Sequence, residues 1–231
     1  MQIRDIIYRI KRKWAKCRLE PIRIFCFHQV SDDFDKSTMY QDDWLQTDEF
    51  KERVTTLREQ GYIFISLPDA HEHIRRDFIR SRKYAVLTAD DGWASIKSIL
   101  PWLNEQQIPI TLFLNPAYLD GKHFRERDTE KYLLEKEVRN LHTQYPLLTI
   151  GSHGWEHIPA PKQTTQEFIE SVNKSVEYLS KLPNYVPYFA YTWGWTWNYT
   201  NDILWKAHLT PVKMSGQNLN YPYIILREPF K

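Results

Sequence analysis

The chain has 231 residues, of which 42% are hydrophobic and 26% charged, so it can bury one sizeable core or two small ones. A net charge of +2 gives no reason to expect a nucleic-acid partner. No apolar run approaches the about 20 residues that a membrane-spanning helix needs. The two cysteines, Cys17 and Cys26, make no disulfide or metal framework, and we expect two free thiols rather than one pair.

Residues 1–20 have the pattern of a basic amphipathic helix. Ile3, Ile6, Ile7 and Ile10 share one helical face opposite a basic one. A terminal helix that packs on the body is favoured, and a helix that lies on a membrane surface is the alternative. Charged residues interrupt every apolar stretch long enough for a secretory signal. We therefore expect a cytoplasmic protein, with contact to a membrane surface left open.

Short apolar runs alternate with amphipathic stretches along residues 21–231, which we expect to form a single domain. The candidate strands are 22–27, 62–67, 84–88, 109–114, 147–150, 186–191 and 223–228. The candidate helices are 48–60, 95–106, 129–142 and 164–181, the last with a capping-box spacing of Thr164 and Glu167. This alternation predicts an α/β fold with parallel strands, and about seven strands suit a barrel or a doubly wound sheet.

Glycine marks the ends of three candidate strands. The chain has only seven glycines, and Gly92, Gly151, Gly154 and Gly194 lie at or near these ends. Glycine is favoured where the backbone takes unusual angles or approaches another group closely. Sites in parallel α/β folds form at the carboxyl ends of strands, so these ends are the candidate site.

The segment YAVLTADDGWAS (84–95) places two adjacent carboxylates after a buried strand. Asp90 and Asp91 repel each other and are costly to desolvate, so a cation there would relieve them. The alternative is that one of them caps a helix that begins near Ser95.

The segment GSHGWEH (151–157) follows another candidate strand and carries His153 and His157. If both strand ends meet at one rim, two imidazoles and one carboxylate supply the ligand count of a catalytic zinc or non-haem iron site. The other carboxylate is then placed to remove a proton from water.

These segments resemble the motifs of polysaccharide deacetylases, the carbohydrate esterase family 4. TADDG looks like the family's T-F-D-D-G, and SHGWEH is similar to its H-S/T-x-x-H. IFCFHQV resembles the family's Y-H-x-V opening, and FAYTWG (189–194) looks like the F-A-Y-P-Y-G element of many bacterial members. The four motifs occur in the family's order, and the resemblance covers roughly residues 22–228.

The resemblance implies a distorted (β/α) barrel that hydrolyses N-acetyl groups on a hexosamine of a polysaccharide, oligosaccharide or precursor glycan. Asp90 matches the family's general base, and Asp91, His153 and His157 match its metal ligands. The metal is then a divalent cation, for which zinc is the first choice and cobalt, nickel and iron are alternatives. A backbone N–H near Gly92 or Trp93 is expected to help hold the oxyanion.

The chain departs from the family pattern at two functional positions. The C-terminal L-x-H motif is missing, and His28 resembles the general acid of members with a rearranged motif order. The arginine of the R-x-P-Y/F motif, which orients the base, is replaced by Ala190. Arg227 resembles an arginine near the C-terminus of F-A-Y-P-Y-G members, where it is expected to pair with a carboxylate or to be a plain surface charge.

Aromatic residues are concentrated on these motifs, and flat rings are suited to stacking on sugars. The residues expected to contact substrate are Trp93, Trp155, Tyr191, Trp193 and Trp195. Ordinary loop packing is the alternative for each ring. Two other functions stay open: a sugar-binding member of the fold that has lost catalysis, and a metal-dependent hydrolase of other C–N bonds.

Overall fold

The computed structural model describes residues 22–32, 44–76, 82–123, 131–197, 199–215 and 222–230. Its strands are β1 Ile22–Phe27, β2 Gln29–Val30, β3 Trp44–Leu45, β4 Tyr62–Phe64, β5 Lys83–Ala89, β6 Ile110–Leu114, β7 Leu148–Ser152, β8 Tyr185–Ala190, β9 Thr210–Met214 and β10 Ile225–Pro229. Its helices are α1 Thr47–Glu59, α2 Leu67–Arg76, α3 Leu100–Glu105, α4 Glu135–Gln144, α5 Thr165–Leu179 and α6 Thr200–Lys206. The expected helix at 1–20 lies outside these residues.

Seven of the described strands close into a parallel barrel. The hydrogen-bonded order is β1, β10, β9, β8, β7, β6 and β5, and β5 pairs again with β1. Strand β4 pairs with the first half of β5 through Phe64 and Ala85, whereas β6 pairs with the second half through Ala89 and Leu112. Both therefore lie on the same edge of β5, and β4 is an extra strand outside the ring. The structure confirms the (β/α) barrel.

The membership of the barrel differs from the sequence prediction at one strand. The run 62–67 was expected to be a barrel strand, but the ring instead includes β9, whose sequence TPVKM gave no apolar run. Pro211 and Lys213 interrupt the apolar pattern, and a proline in a sequence argues against a central strand at that position. In β9, Val212 is fully buried and pairs with Ala190 and Ile225, so closure of the barrel overrides the local pattern.

The helices confirm most of the sequence boundaries, but the helix expected at 129–142 begins only at Glu135. The capping box is formed, because Thr164 Oγ1 accepts the Glu167 N–H and Glu167 Oε2 accepts the Thr164 N–H. The expected helix 95–106 is divided into a 3₁₀ turn at Ala94–Ser98 and α3, with Pro101 in the first turn of α3, where a missing N–H is harmless. No helix in the described part of the chain is long and apolar enough to cross a membrane.

The inside of the barrel has an apolar layer beneath a polar one. Side chains alternate between the two faces of a strand, so Ile24 and Cys26 of β1 share a face, as do Val86 and Thr88 of β5. Ile24 and Val86 pack in one buried cluster with Phe113, Ile225 and the α2 residues Leu67, Ala70 and Ile74. The polar groups that follow in the same strands lie toward the carboxyl ends.

Gly151 of β7 allows Phe113 to pack closely beneath the polar layer. A Cβ at residue 151 would lie 2.5 Å from Phe113 Cε1 and 3.0 Å from the backbone oxygen of Tyr188.

We expect Gly151→Ala to lower the free energy of unfolding by about 1–3 kcal/mol, as overpacking usually does. Urea unfolding of this variant, of Phe113→Leu and of the double variant measures the effect. Because Leu is smaller than Phe, the double variant should lose less stability than the sum of the two single losses. Strict additivity of the losses would contradict this packing.

Candidate active site

The four sequence motifs meet at the carboxyl end of the barrel. Asp90 and Asp91 follow β5, His153 follows β7, and His28 follows β1. Both aspartates are 4% exposed and His153 is 1% exposed, so the cluster is buried apart from the side chains at its rim. This is the end at which parallel barrels carry their sites.

Asp91, His153 and His157 form a compact group of possible metal ligands. Asp91 Oδ1 lies 3.4 Å from His153 Nε2 and 3.2 Å from His157 Nε2. One ligand atom from each residue lies within 4.8 Å of the others. His153 Nδ1 is 2.8 Å from the Ala190 carbonyl oxygen, which can only accept, so Nδ1 carries the proton and Nε2 presents its lone pair. Two imidazoles and a carboxylate fit a divalent cation such as zinc.

A sharp backbone turn separates the two aspartates. Asp91 has φ 72° and Gly92 has φ 85°, both in the left-handed region, which Asp tolerates and Gly adopts freely. A Cβ at Gly92 would lie 2.8 Å from Leu114 Cδ2, so a larger residue would also have to displace the Leu114 side chain of β6. The Gly92 N–H donates to the Asp90 carbonyl at 2.9 Å, so of the two backbone donors expected to hold the oxyanion, Gly92 or Trp93, the one at Gly92 is already used in the turn.

Asp90 is held by Arg227 rather than by the histidines. Arg227 Nη1 and Nη2 donate to Asp90 Oδ1 and Oδ2, each at 2.6 Å, and both side chains are buried. Burial opposes ionisation of Asp90, but the Arg227 guanidinium lowers the pKa of the carboxyl to about 2. Asp90 is therefore a carboxylate near neutral pH.

Arg227 reaches Asp90 across strand β1. In the barrel β1 lies between β10, which carries Arg227, and β5, which precedes Asp90. Neighbouring strands are about 4.8 Å apart, so the long arginine side chain spans the two strand spacings. Thr88 Oγ1 accepts from Arg227 Nη1 at 2.9 Å and donates to the Phe25 carbonyl at 2.7 Å. The position at which the family motif has its arginine is Ala190, whose carbonyl oxygen instead holds His153.

His28 lies beside Asp90 and is half-buried. A ring nitrogen of His28, the Cys26 Sγ and an Asp90 carboxylate oxygen all lie within 4.8 Å of one another. The position is suited to proton transfer at the open face. Cys26 was not expected in the site, although the two-residue spacing to His28 places both side chains on one face of the strand.

Trp193 and Trp195 are two exposed aromatic rings of the rim. Trp193 is 54% exposed and Trp195 is 53% exposed. The Trp193 ring centroid is 5.9 Å from that of His157 and 6.0 Å from that of Trp195. The two indoles thus form a short wall that begins at one of the possible metal ligands.

The other three rings expected to contact substrate are buried or half-buried in the structure. Trp93 is buried and stacks on Tyr132 at 4.5 Å, and its Nε1 donates to Asp91 Oδ2 at 3.1 Å. Tyr191 is 1% exposed, so it offers no face to a sugar. Trp155 is half-buried, and the Lys174 Nζ lies 3.9 Å from the centre of its ring. For Trp93 and Tyr191 the packing alternative therefore fits the structure.

Two residues that sequence reasoning missed hold the histidine loop. Asn115 Nδ2 donates to the His153 carbonyl at 2.6 Å, and the Tyr118 hydroxyl accepts the His157 N–H at 3.1 Å. Both residues follow β6, which pairs with β7 along its whole length. They lie in the segment NPAY, where the only signal was a polar residue directly after an apolar strand.

The contact between Asp90 and Arg227 predicts a large effect on stability. Arg227→Met leaves a buried carboxylate without its partner, so we expect a loss of about 3–5 kcal/mol in the free energy of unfolding. Adding Asp90→Asn removes the buried charge and should recover part of that loss. Chemical denaturation of the single and double variants measures the coupling, and independent, additive losses would show that the two side chains do not stabilise each other.

Comparison with known proteins is consistent with this geometry. A family model described as polysaccharide deacetylase matches residues 79–214, more than half of the chain. IcaB from Ammonifex degensii has a TM-score of 0.75 at 18% identity, over 92% of this chain and 92% of that one. The Streptococcus pyogenes deacetylase PplD has a TM-score of 0.77 at 17% identity, over 90% of this chain and 92% of that one. These structural matches show the fold, and curated proteins give no significant match. The family-model match establishes that the chain belongs to the polysaccharide deacetylase family.

Proposed function

We propose that the protein removes N-acetyl groups from N-acetylhexosamine units of a polysaccharide, oligosaccharide or precursor glycan, with the help of a divalent cation. The observation that carries this proposal is the division of two adjacent aspartates. Asp91 faces His153 and His157, whereas Asp90 faces Arg227 and His28. One carboxylate is thereby suited to bind a cation, and the other is suited to act as a base.

Asp91, His153 and His157 would hold the cation, and zinc fits these ligands, with cobalt, nickel and iron as alternatives. When bound, such a cation polarises the acetyl carbonyl and makes water more acidic. The Trp93 indole N–H fixes Asp91 Oδ2, so that Oδ1 faces the two histidines. The Ala190 carbonyl fixes the tautomer of His153 in the same way.

Asp90 and His28 would carry the proton transfers. Asp90 Oδ accepts a proton from the water that attacks the acetyl carbon, and Arg227 keeps the carboxylate ionised and oriented for that step. The C–N bond then breaks, His28 donates a proton to the leaving amine, and acetate and a free hexosamine amine are the products. Trp193 and Trp195 would provide the wall against which the sugar ring stacks.

Acetate release from chitin oligomers or an acetylated glucosamine polymer, with added zinc or cobalt, tests this function. We expect Asp90→Asn to retain the bound metal. Its turnover rate should fall about 10²–10⁴-fold, which is the usual contribution of a general base. Asp91→Ala and His157→Ala should lose both metal and turnover, as measured by metal analysis of the purified proteins.

His123→Ala is a matched control, because the His123 side chain is 72% exposed. It should retain metal and turnover. Tight sugar binding without acetate release from any acetylated sugar would instead support the non-catalytic alternative, and full metal content in both ligand variants would disprove the metal site.

The aromatic wall predicts a dependence on substrate length. Trp195→Ala should raise KM for oligosaccharides more than KM for a small acetyl ester, because only the sugar chain reaches the exposed indole. Trp205→Ala is the control: it is also exposed, but its Nε1 donates to the Tyr223 carbonyl near the start of β10, at the other end of the barrel. Equal effects of Trp195→Ala on both substrates would count against the wall.

A further inference from the structure

A second group of donor atoms lies beside the first, on the side of the proposed base. The Cys26 Sγ is 3.4 Å from Asp90 Oδ2, and a ring nitrogen of His28 completes a set whose atoms all lie within 4.8 Å of one another. This set shares no residue with Asp91, His153 and His157. The two sets are neighbours, since His153 Nε2 is 3.9 Å from Asp90 Oδ2.

The chemistry of this second set is different from that of the first. Thiolate, imidazole and carboxylate together suit zinc and cadmium, whereas magnesium and manganese prefer oxygen ligands and gain little from a thiolate. Cys26 and His28 are two residues apart at the end of β1, so their side chains point to one face without any rearrangement of the backbone. Cys26 is buried, but half-buried His28 connects the set to the surface.

The charges also permit a cation at this position. Arg227 already balances Asp90, so the pair adds little net charge. When a divalent ion binds, the Cys26 thiol loses its proton to solvent and the thiolate balances one charge of the ion. Each oxygen of Asp90 has a second lone pair, so the carboxylate can contact a cation while it still accepts from Arg227.

We propose that Cys26, His28 and Asp90 form a second, inhibitory site for zinc or cadmium ions present in excess. The ion occupies the two side chains to which the proposed function assigns the base and the acid, and this inhibitory consequence rests on that function. Binding of the ion does not rest on it.

Cadmium alone is the probe for the site. Equilibrium dialysis should give two bound ions per chain, and the second should produce the ultraviolet charge-transfer absorption of a cadmium–thiolate bond. Loss of an outer-shell partner commonly costs 10–100-fold in metal affinity, so loss of the thiolate ligand in Cys26→Ser should weaken the second ion by about tenfold or more and abolish the absorption. Cys26→Ala serves as a second variant if the serine disturbs folding.

Cys17→Ser is the matched control, because it removes the chain's other cysteine. It should retain both ions and the absorption. The proposal is overturned if the wild-type protein shows no cadmium–thiolate absorption at saturation, or if the absorption persists in both Cys26 variants.

Inhibition is measured separately, from the rate of acetate release with one equivalent of zinc and with excess zinc. The rate of each protein in excess zinc is divided by its own rate with one equivalent. Excess zinc should inhibit the wild-type protein and Cys17→Ser but not Cys26→Ser. Two bound ions without any deacetylase activity would leave this site standing and contradict the proposed function, whereas an active enzyme with one cadmium site would contradict only the second site.

Discussion

The two-pronged contact between Asp90 and Arg227 is the interaction on which the rest of the site depends. A carboxylate with 4% exposure is costly to bury unless a cation and hydrogen bonds compensate it. Arg227 supplies both, but only because the barrel closes and places β10 and β5 on the two sides of β1. Closure of the barrel therefore brings the Arg227 guanidinium to Asp90, and this contact keeps the proposed base ionised.

This constraint explains why two neighbouring aspartates have different surroundings. Asp90 continues the inward face of β5 and meets Arg227, while the left-handed backbone at Asp91 turns the next side chain toward His153 and His157. Gly92 completes the turn where a side chain would collide with β6. Without the turn, the side chains of successive residues would point to opposite faces of the strand.

The sequence predicts what is encoded locally. Apolar runs followed by polar motifs indicate the strand ends, and the structure brings Asp91, His153 and His157 together there. The contact that holds Asp90 joins residues 137 positions apart, so it depends on the order of strands around the barrel, which periodicity does not show. The same limit applies to β9, a strand with proline and lysine, and to Tyr191, whose burial depends on helix α5 through Phe168.

In the proposed site Asp91 binds the cation while Asp90 stays with Arg227. X-ray anomalous scattering at the zinc absorption edge, from crystals that contain one equivalent of zinc, tests this directly. We expect one peak in contact with Asp91, His153 and His157, and an intact pair of Asp90 and Arg227. A peak bound by Asp90, with Arg227 displaced from the carboxylate, would contradict it.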